Sequence, residues 1–311
     1  DDLLFNAPSP DFSPPAVPPF IPPGVVPGVD AGAAAPFAAP GAGVPPGAPP
    51  FPPTISIPLS TVSVTPESFS CFAAFPIPGI LFKACPPLFN ICCPAFVDYV
   101  RRNHPDLMDH VSTVVSPMVA MGRAIRAKDP DARVVFMGPC TAKKVEVKQP
   151  EVRDAIDHVI TFEELRSLLD AKGLDLAQLP EYNAGEPSSY GRIFARTGGV
   201  AESVRRVAKL EGIDVEINPV RCSGIEECVR ALKLASFGKL DGNLIEGMAC
   251  KGGCTNGAAS IFHDMRGIQR VNNFSREALT DDPTEGIRGY DMNEVDMERD
   301  FSQEFIWNAE N

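Results

Sequence analysis

From about residue 88 onward, the apolar positions switch repeatedly between a helical spacing and short continuous runs. Residues 94–103 predict a helix, with Pro94 at its first position and Phe96, Val97 and Val100 on one face. A second helix is predicted over 116–128, opened by Ser-Pro. The β-branched run 133–137 reads as a buried strand, and 158–160 as another. The latter feeds a capping box, Thr161-Phe162-Glu163-Glu164, followed by Leu165, Leu168 and Leu169 on one helix face. Residues 215–220 predict a third strand, 225–235 a helix and 243–246 a fourth strand. Strands alternating with helices imply an α/β fold with largely parallel sheets flanked by helices.

The first 87 residues lack any such period. Of the 33 prolines, 24 lie in residues 1–94, and 31–66 carries no charge. This is a Pro-rich segment, more apolar than ordinary linkers, and no residue-level assignment is drawn from it. At the other end, residues 281–311 hold ten acidic and two basic side chains. The expected organisation is therefore a Pro-rich segment (1–87), one α/β domain (88–265) and an acidic C-terminal tail (266–311), peripheral or partner-binding.

With 28 basic against 40 acidic residues, the chain is a poor match for nucleic acid or anionic membranes. It suits partners with basic docking faces instead. No uncharged apolar run is long enough to span a membrane once prolines count as breakers. The start Asp1-Asp2-Leu3-Leu4-Phe5 lacks a basic n-region, so a cytoplasmic location is expected. Nine cysteines, an odd count without a secretory signal, argue against a disulfide framework and for metal or redox chemistry. Cys222 and Cys228 sit in no ligand pattern and read as small buried hydrophobes.

Three loops carry the remaining chemistry. They are Cys92-Cys93-Pro94-Ala95-Phe96, entering a helix; Gly138-Pro139-Cys140-Thr141-Ala142-Lys143-Lys144, after a strand; and Glu246 to Gly257, reading Glu-Gly-Met-Ala-Cys-Lys-Gly-Gly-Cys-Thr-Asn-Gly, also after a strand. Functional sites in open α/β sheets collect beyond the carboxyl ends of strands. Structural zinc favours paired local knuckles, whereas only Cys250 and Cys254 form a local pair. The compact cysteine run of a ferredoxin is absent as well.

In order and internal spacing these loops resemble the three signature motifs of the iron-only ([FeFe]) hydrogenase family, roughly T-S-C-C-P, P-C-T-x-K-K-x-E and E-x-M-A-C-x-G-G-C-x-x-G. Arg196-Thr197-Gly198-Gly199-Val200 resembles a family segment between the second and third. The resemblance implies two lobes with a metal cofactor between them. That cofactor is a [4Fe–4S] cubane joined to a two-iron subsite with CO, cyanide and a bridging dithiolate. By position, Cys93, Cys140, Cys250 and Cys254 would ligate the cubane, Cys254 also bridging to the two irons. Lys143 would hydrogen-bond a cyanide, Met248 would lie near the two-iron unit, Cys92 would carry protons and Ser112 would sit on the proton route. The implied activity is reversible interconversion of H2 with protons and electrons in anaerobic hydrogen metabolism. The implied partners are an electron carrier such as ferredoxin, or a redox subunit, and maturation proteins.

Departures from the family pattern suggest a divergent subgroup. Asn90-Ile91 replaces T-S, Gly138 stands where a methionine is usual, and Phe72 and Phe75 fall where acidic residues of the proton route are expected. Two other readings stay open: an H2 sensor with little turnover, and a non-catalytic hydrogenase-like iron–sulfur assembly protein.

Overall fold

The computed structural model describes residues 88–89, 92–180, 187–287, 289–303 and 305–306. The chain divides into a unit of residues 1–57 and one of 58–311, and everything described belongs to the second. The Pro-rich segment, with Cys71, Phe72, Phe75 and Cys85, lies outside the described residues, as do Asn90 and Ile91.

Two small parallel sheets organise the domain. In the first, β5 (Leu244–Met248) lies between β1 (Leu88–Phe89) and β4 (Pro219–Ser223). In the second, β2 (Val135–Gly138) pairs with β3 (His158–Thr161). All five residues of β5 are buried, which is the pattern of a strand covered on both faces. The helices are α1 (Pro94–Asn103), α2 (Pro117–Lys128), α3 (Ala142–Glu146), α4 (Phe162–Ala171), α5 (Ser189–Arg192), α6 (Gly199–Leu210), α7 (Ile225–Ser236) and α8 (Arg266–Arg276). The fold is thus α/β with parallel strand pairs, as the alternating pattern predicts.

The helix over 94–103 forms with the predicted bounds, Cys93 as N-cap and Phe96, Val97 and Val100 buried. Phe96 lies flat on β5 because Gly247 offers no side chain: a Cβ there would sit 2.6 Å from the ring. The capping box also forms, with Glu164 N–H donating to Thr161 Oγ1 at 3.2 Å and Thr161 N–H to Glu164 Oε2 at 2.8 Å.

Three expectations change. The third strand begins at Pro219 rather than 215, because Asn218 is tied to Asn243 and ladder pairing starts only after it. No residue of α4 is fully buried: Leu165 and Leu169 are half-buried, while Leu168 is 53% exposed, so the helix is only partly covered among the described residues. The acidic segment after residue 266 is not all periphery. It carries α8, buries Ile287, Val295 and Arg299, and bridges Glu298 to Val114.

Removing the space above Gly247 tests this packing. Gly247→Ala forces the buried Phe96 ring to move and is expected to cost about 1–3 kcal/mol by urea denaturation. Gly289→Ala, with open space around it, stays within about 0.5 kcal/mol of the parent. Equal effects would mean that α1 does not rest on β5 in this way.

Candidate metal centre

Each cysteine-bearing loop leaves the carboxyl end of a parallel strand. Cys92 and Cys93 follow β1, Cys140 follows β2, and Cys250 and Cys254 follow β5. Backbone bonds fasten the loops together. Ala259 N–H donates to Pro139 O at 3.0 Å, joining the third loop to the second, and Ala249 N–H points at Cys93 Sγ at 3.5 Å, joining it to the first. Gly252 N–H donates to Ser223 Oγ at 2.8 Å, at the end of β4.

The Arg196–Val200 segment closes the remaining side. Thr197 N–H donates to Gly252 O at 3.2 Å. Gly253, at φ +94°, has no room for a side chain, since a Cβ would lie 2.7 Å from Thr197 N. Glu246 is fully buried on β5, and its two oxygens accept from Gly198 N–H at 2.8 Å and Ala201 N–H at 3.1 Å. It thereby satisfies the orphan donors at the start of α6, where a carboxylate is favoured. Burial raises its pKa, and these N–H bonds with that of Val200 partly offset the rise.

Cys93, Cys140, Cys250 and Cys254 all lie within electrostatic reach of one another. Burial pushes the Cys93 thiol up to about 11; N–H bonds from Ala249 and Phe96 oppose the rise, and Cys140 and Cys250 add to it. Cys254 is pushed up to about 12 by burial, with Cys93, Cys140 and Cys250 adding to the rise and Lys143 opposing it. Burial and Cys140 raise Cys250, against an N–H bond from Ala258. Such thiols ionise together only around a strongly cationic centre. Among the described residues, no three Cys, His, Asp or Glu side chains close around a single metal ion. Four cysteine sulfurs brought together from three loops are the donor set of an iron–sulfur cluster.

Cys92 lies beside this group, with its own thiol raised well above normal, mainly by burial. Lys143 lowers it, and Glu246, Cys254 and Cys93 raise it further. Lys143 and Lys144 point opposite ways from α3. Lys144 pairs with Glu164 at 2.7 Å near the surface, whereas Lys143 is buried, donating to Glu146 Oε2 at 2.7 Å and Ser116 Oγ at 2.9 Å. Burial opposes the Lys143 charge, but Glu146 outweighs it and the pKa is raised. An ammonium has three N–H donors, so one remains beyond these two bonds. Cys92, Cys140 and Cys254 all lie within its electrostatic reach.

Met248 is buried at the end of β5, and its carbonyl accepts from Gly224 N–H at 2.8 Å. Ser112 is buried with a local bond, its Oγ accepting from Val114 N–H at 3.3 Å. The serine that meets Lys143 is Ser116, which the sequence offers only as a helix opener. Glu146 and Glu246 also gain roles that the motifs alone do not show. Their signals were a Lys-x-x-Glu spacing on a helix and a carboxylate inside an apolar strand. Cys222 and Cys228 are buried, their thiols donating to Val220 O at 3.9 Å and Met248 O at 3.7 Å.

Glu246→Gln keeps the shape but turns a donor toward one of the two N–H groups. It is expected to cost about 1.5–3 kcal/mol by urea denaturation of the cluster-free protein. A loss below about 0.5 kcal/mol, the scale of an ordinary surface change, would remove Glu246 from the frame of the site.

Comparison with known proteins agrees with this geometry. The profile described as "Iron only hydrogenase large subunit, C-terminal domain" matches residues 81–258. Iron hydrogenase 1 of Clostridium pasteurianum is 31% identical over 229 residues, 60% of this chain and 40% of that protein. The cytosolic Fe-S cluster assembly factor NAR1 of Sclerotinia sclerotiorum is 32% identical over 115 residues, 30% of this chain and 20% of its own length. The chain thus spans less than half of either relative. Among solved structures, an [FeFe]-hydrogenase, HydA(deltaEFG), described for stepwise H-cluster assembly, superimposes with a TM-score of 0.54 at 20% identity, covering 72% of this chain and 76% of the other. That likeness shows the shared fold. With more than half of its residues matched by the profile, this chain belongs to the iron-only hydrogenase large-subunit family.

Proposed function

We propose that the protein interconverts H2 with protons and electrons at a [4Fe–4S] cubane joined to a two-iron subsite bearing CO, cyanide and a bridging dithiolate. The observation that carries this reading is the convergence of four cysteine thiols from three strand ends beside one buried ammonium. Cys93, Cys140, Cys250 and Cys254 are the proposed cubane ligands, with Cys254 bridging to the two irons. When bound, the cofactor supplies the open metal site for H2 and the path for its electrons.

The remaining work falls to the chain. Lys143 directs its third N–H toward an anionic ligand such as cyanide, both orienting and neutralising it. Met248 supplies apolar, polarisable cover at the end of β5. Cys92 is the proposed proton carrier, because neighbouring residues at a helix entrance point in different directions. Cys93 would then hold the cubane, while the neighbouring Cys92 thiol would be left to carry protons. Ser112 accepts a bond from Val114 N–H and still has a hydroxyl proton to pass on, so it retains a place on the proton route. Electrons require a partner, a ferredoxin-like carrier or a redox subunit, and cofactor loading requires maturation proteins.

A second reading follows from the NAR1 relatives: an iron–sulfur assembly factor without the two-iron unit. The buried Lys143, with a third N–H beyond its two bonds, and Cys92 within its reach favour the catalyst, because together they offer an anion-facing donor and a proton carrier beside the proposed cubane ligands.

Infrared spectroscopy of the matured protein separates the readings, because CO and cyanide stretches have no other protein source. The catalyst shows them, whereas iron without them indicates the assembly factor. In Cys92→Ala the bands are expected to persist while H2 turnover falls by about two orders of magnitude, the scale of losing a positioned acid–base group. Loss of iron in that variant would make Cys92 a ligand, and unchanged turnover would end the relay assignment. A parent rate already as low as the variant's would point to the sensor.

A further inference from the structure

Arg299 is one of two basic residues after residue 280, yet it is only 3% exposed. Its backbone N–H donates to Thr113 O at 2.7 Å, next to the bridge between Glu298 and Val114. Burying a guanidinium is costly unless carboxylates meet it, and here two do. Nε donates to Glu151 Oε1 at 3.0 Å, and Nη1 lies 3.7 Å from Glu146 Oε1. The other oxygen of Glu146 holds Lys143. On the outer side, Arg101 Nη2 is 4.0 Å from Glu151 Oε1. Charges therefore alternate from the thiols outward: Lys143, Glu146, Arg299, Glu151, Arg101. Asp98 lies alongside, pushed up to about 6 by burial, with Arg101, Arg299, Glu146 and Arg102 in reach.

This chain of charges reaches Lys143 through one carboxylate. Glu146 is fully buried, and its two oxygens are divided between two cations. Arg299 Nη1 faces Oε1 as an ion pair at 3.7 Å with no hydrogen bond between the two buried atoms, and its charge favours the carboxylate plane seen here. That plane sets where Oε2 holds the ammonium, and hence where the third N–H of Lys143 points. Without Arg299, Oε1 would face no cation, the carboxylate would be free to turn, and Oε2 would hold the Lys143 ammonium less firmly.

We propose that Arg299 is a positioning residue for Lys143: acting through Glu146, it holds the ammonium in place and aimed at the thiols, so that the C-terminal segment completes the cofactor site. This rests on the reading of Lys143 as the group that faces the two-iron unit. It adds that a residue more than 150 positions away in sequence controls that group.

The test uses Arg299→Gln and Glu151→Gln, with the exposed Glu298→Gln as control. Folded, cluster-free protein is treated briefly with acetic anhydride, and lysine acetylation is read by mass spectrometry with Lys144 as internal reference. Acetylation of Lys143 is expected to rise several-fold in Arg299→Gln, because an ammonium held less firmly by Glu146 leaves its buried position more often. A smaller rise is expected in Glu151→Gln and none in Glu298→Gln, with cooperative melting retained. In matured protein, Arg299→Gln is expected to shift the cyanide bands while Glu298→Gln leaves them in place. Parent-level acetylation of Lys143 in both Arg299→Gln and Glu151→Gln overturns the proposal, as do unshifted bands in Arg299→Gln. Should Arg299→Gln not fold, Glu151→Gln alone decides, and parent-level acetylation there is fatal. Parent protein without cyanide bands defeats the two-iron reading, while acetylation still decides the role of Arg299.

Discussion

Four thiols cannot share a desolvated space as anions unless a cation lies among them. Cys93, Cys140, Cys250 and Cys254 are placed in that position, each making its neighbours harder to ionise. The buried Lys143 ammonium offsets part of this at Cys254. Without metal, Cys93 and Cys254 keep their protons near neutral pH, so a metal that binds here must displace them. The surrounding structure follows from the demand. Strand ends deliver the cysteines, glycines let the loops approach, and backbone N–H groups aim at sulfur.

The same logic governs the buried charges around the site. Glu246 is tolerated on an apolar strand because the first turn of α6 supplies the N–H groups that it needs. Lys143 is tolerated because Glu146 and Ser116 meet it, and Glu146 because Arg299 takes its second oxygen. Removing one member of such a set leaves its partner buried and unmatched, which costs more than the pair itself contributes. The framework is therefore cooperative, and it extends from the first sheet through α3 to the C-terminal segment.

Much of this was legible in the sequence. Pro94 after Cys93 marked the start of α1, the capping box marked α4, and the β-branched run marked β2. The cysteine motifs placed their residues at strand ends without any coordinates. Other features depend on three-dimensional partners that no local pattern encodes. The bounds of β4 were set by a side-chain lock between Asn218 and Asn243, not by the valines before it. Helix α6 has Val200, Val204, Val207 and Ala208 at helical spacing, a signal masked by the glycines at its start. Arg299 looked like one charge in an acidic tail, and only the fold shows the two carboxylates waiting for it. The resemblance singled out Ser112, whereas Ser116 read only as the opener of a helix, and the contact with Lys143 shows in the fold alone.

The central claim is that one iron–sulfur cluster satisfies all four thiols, independent of what is later attached to it. Iron and acid-labile sulfide should therefore be counted in protein made without the hydrogenase maturation machinery and reconstituted anaerobically. The account predicts about four irons and four sulfides per chain, the content of one cubane, and loss of that content when any of the four cysteines becomes alanine but not when Cys222 does. Zinc in place of iron, or full iron and sulfide in a Cys254→Ala protein, would contradict it.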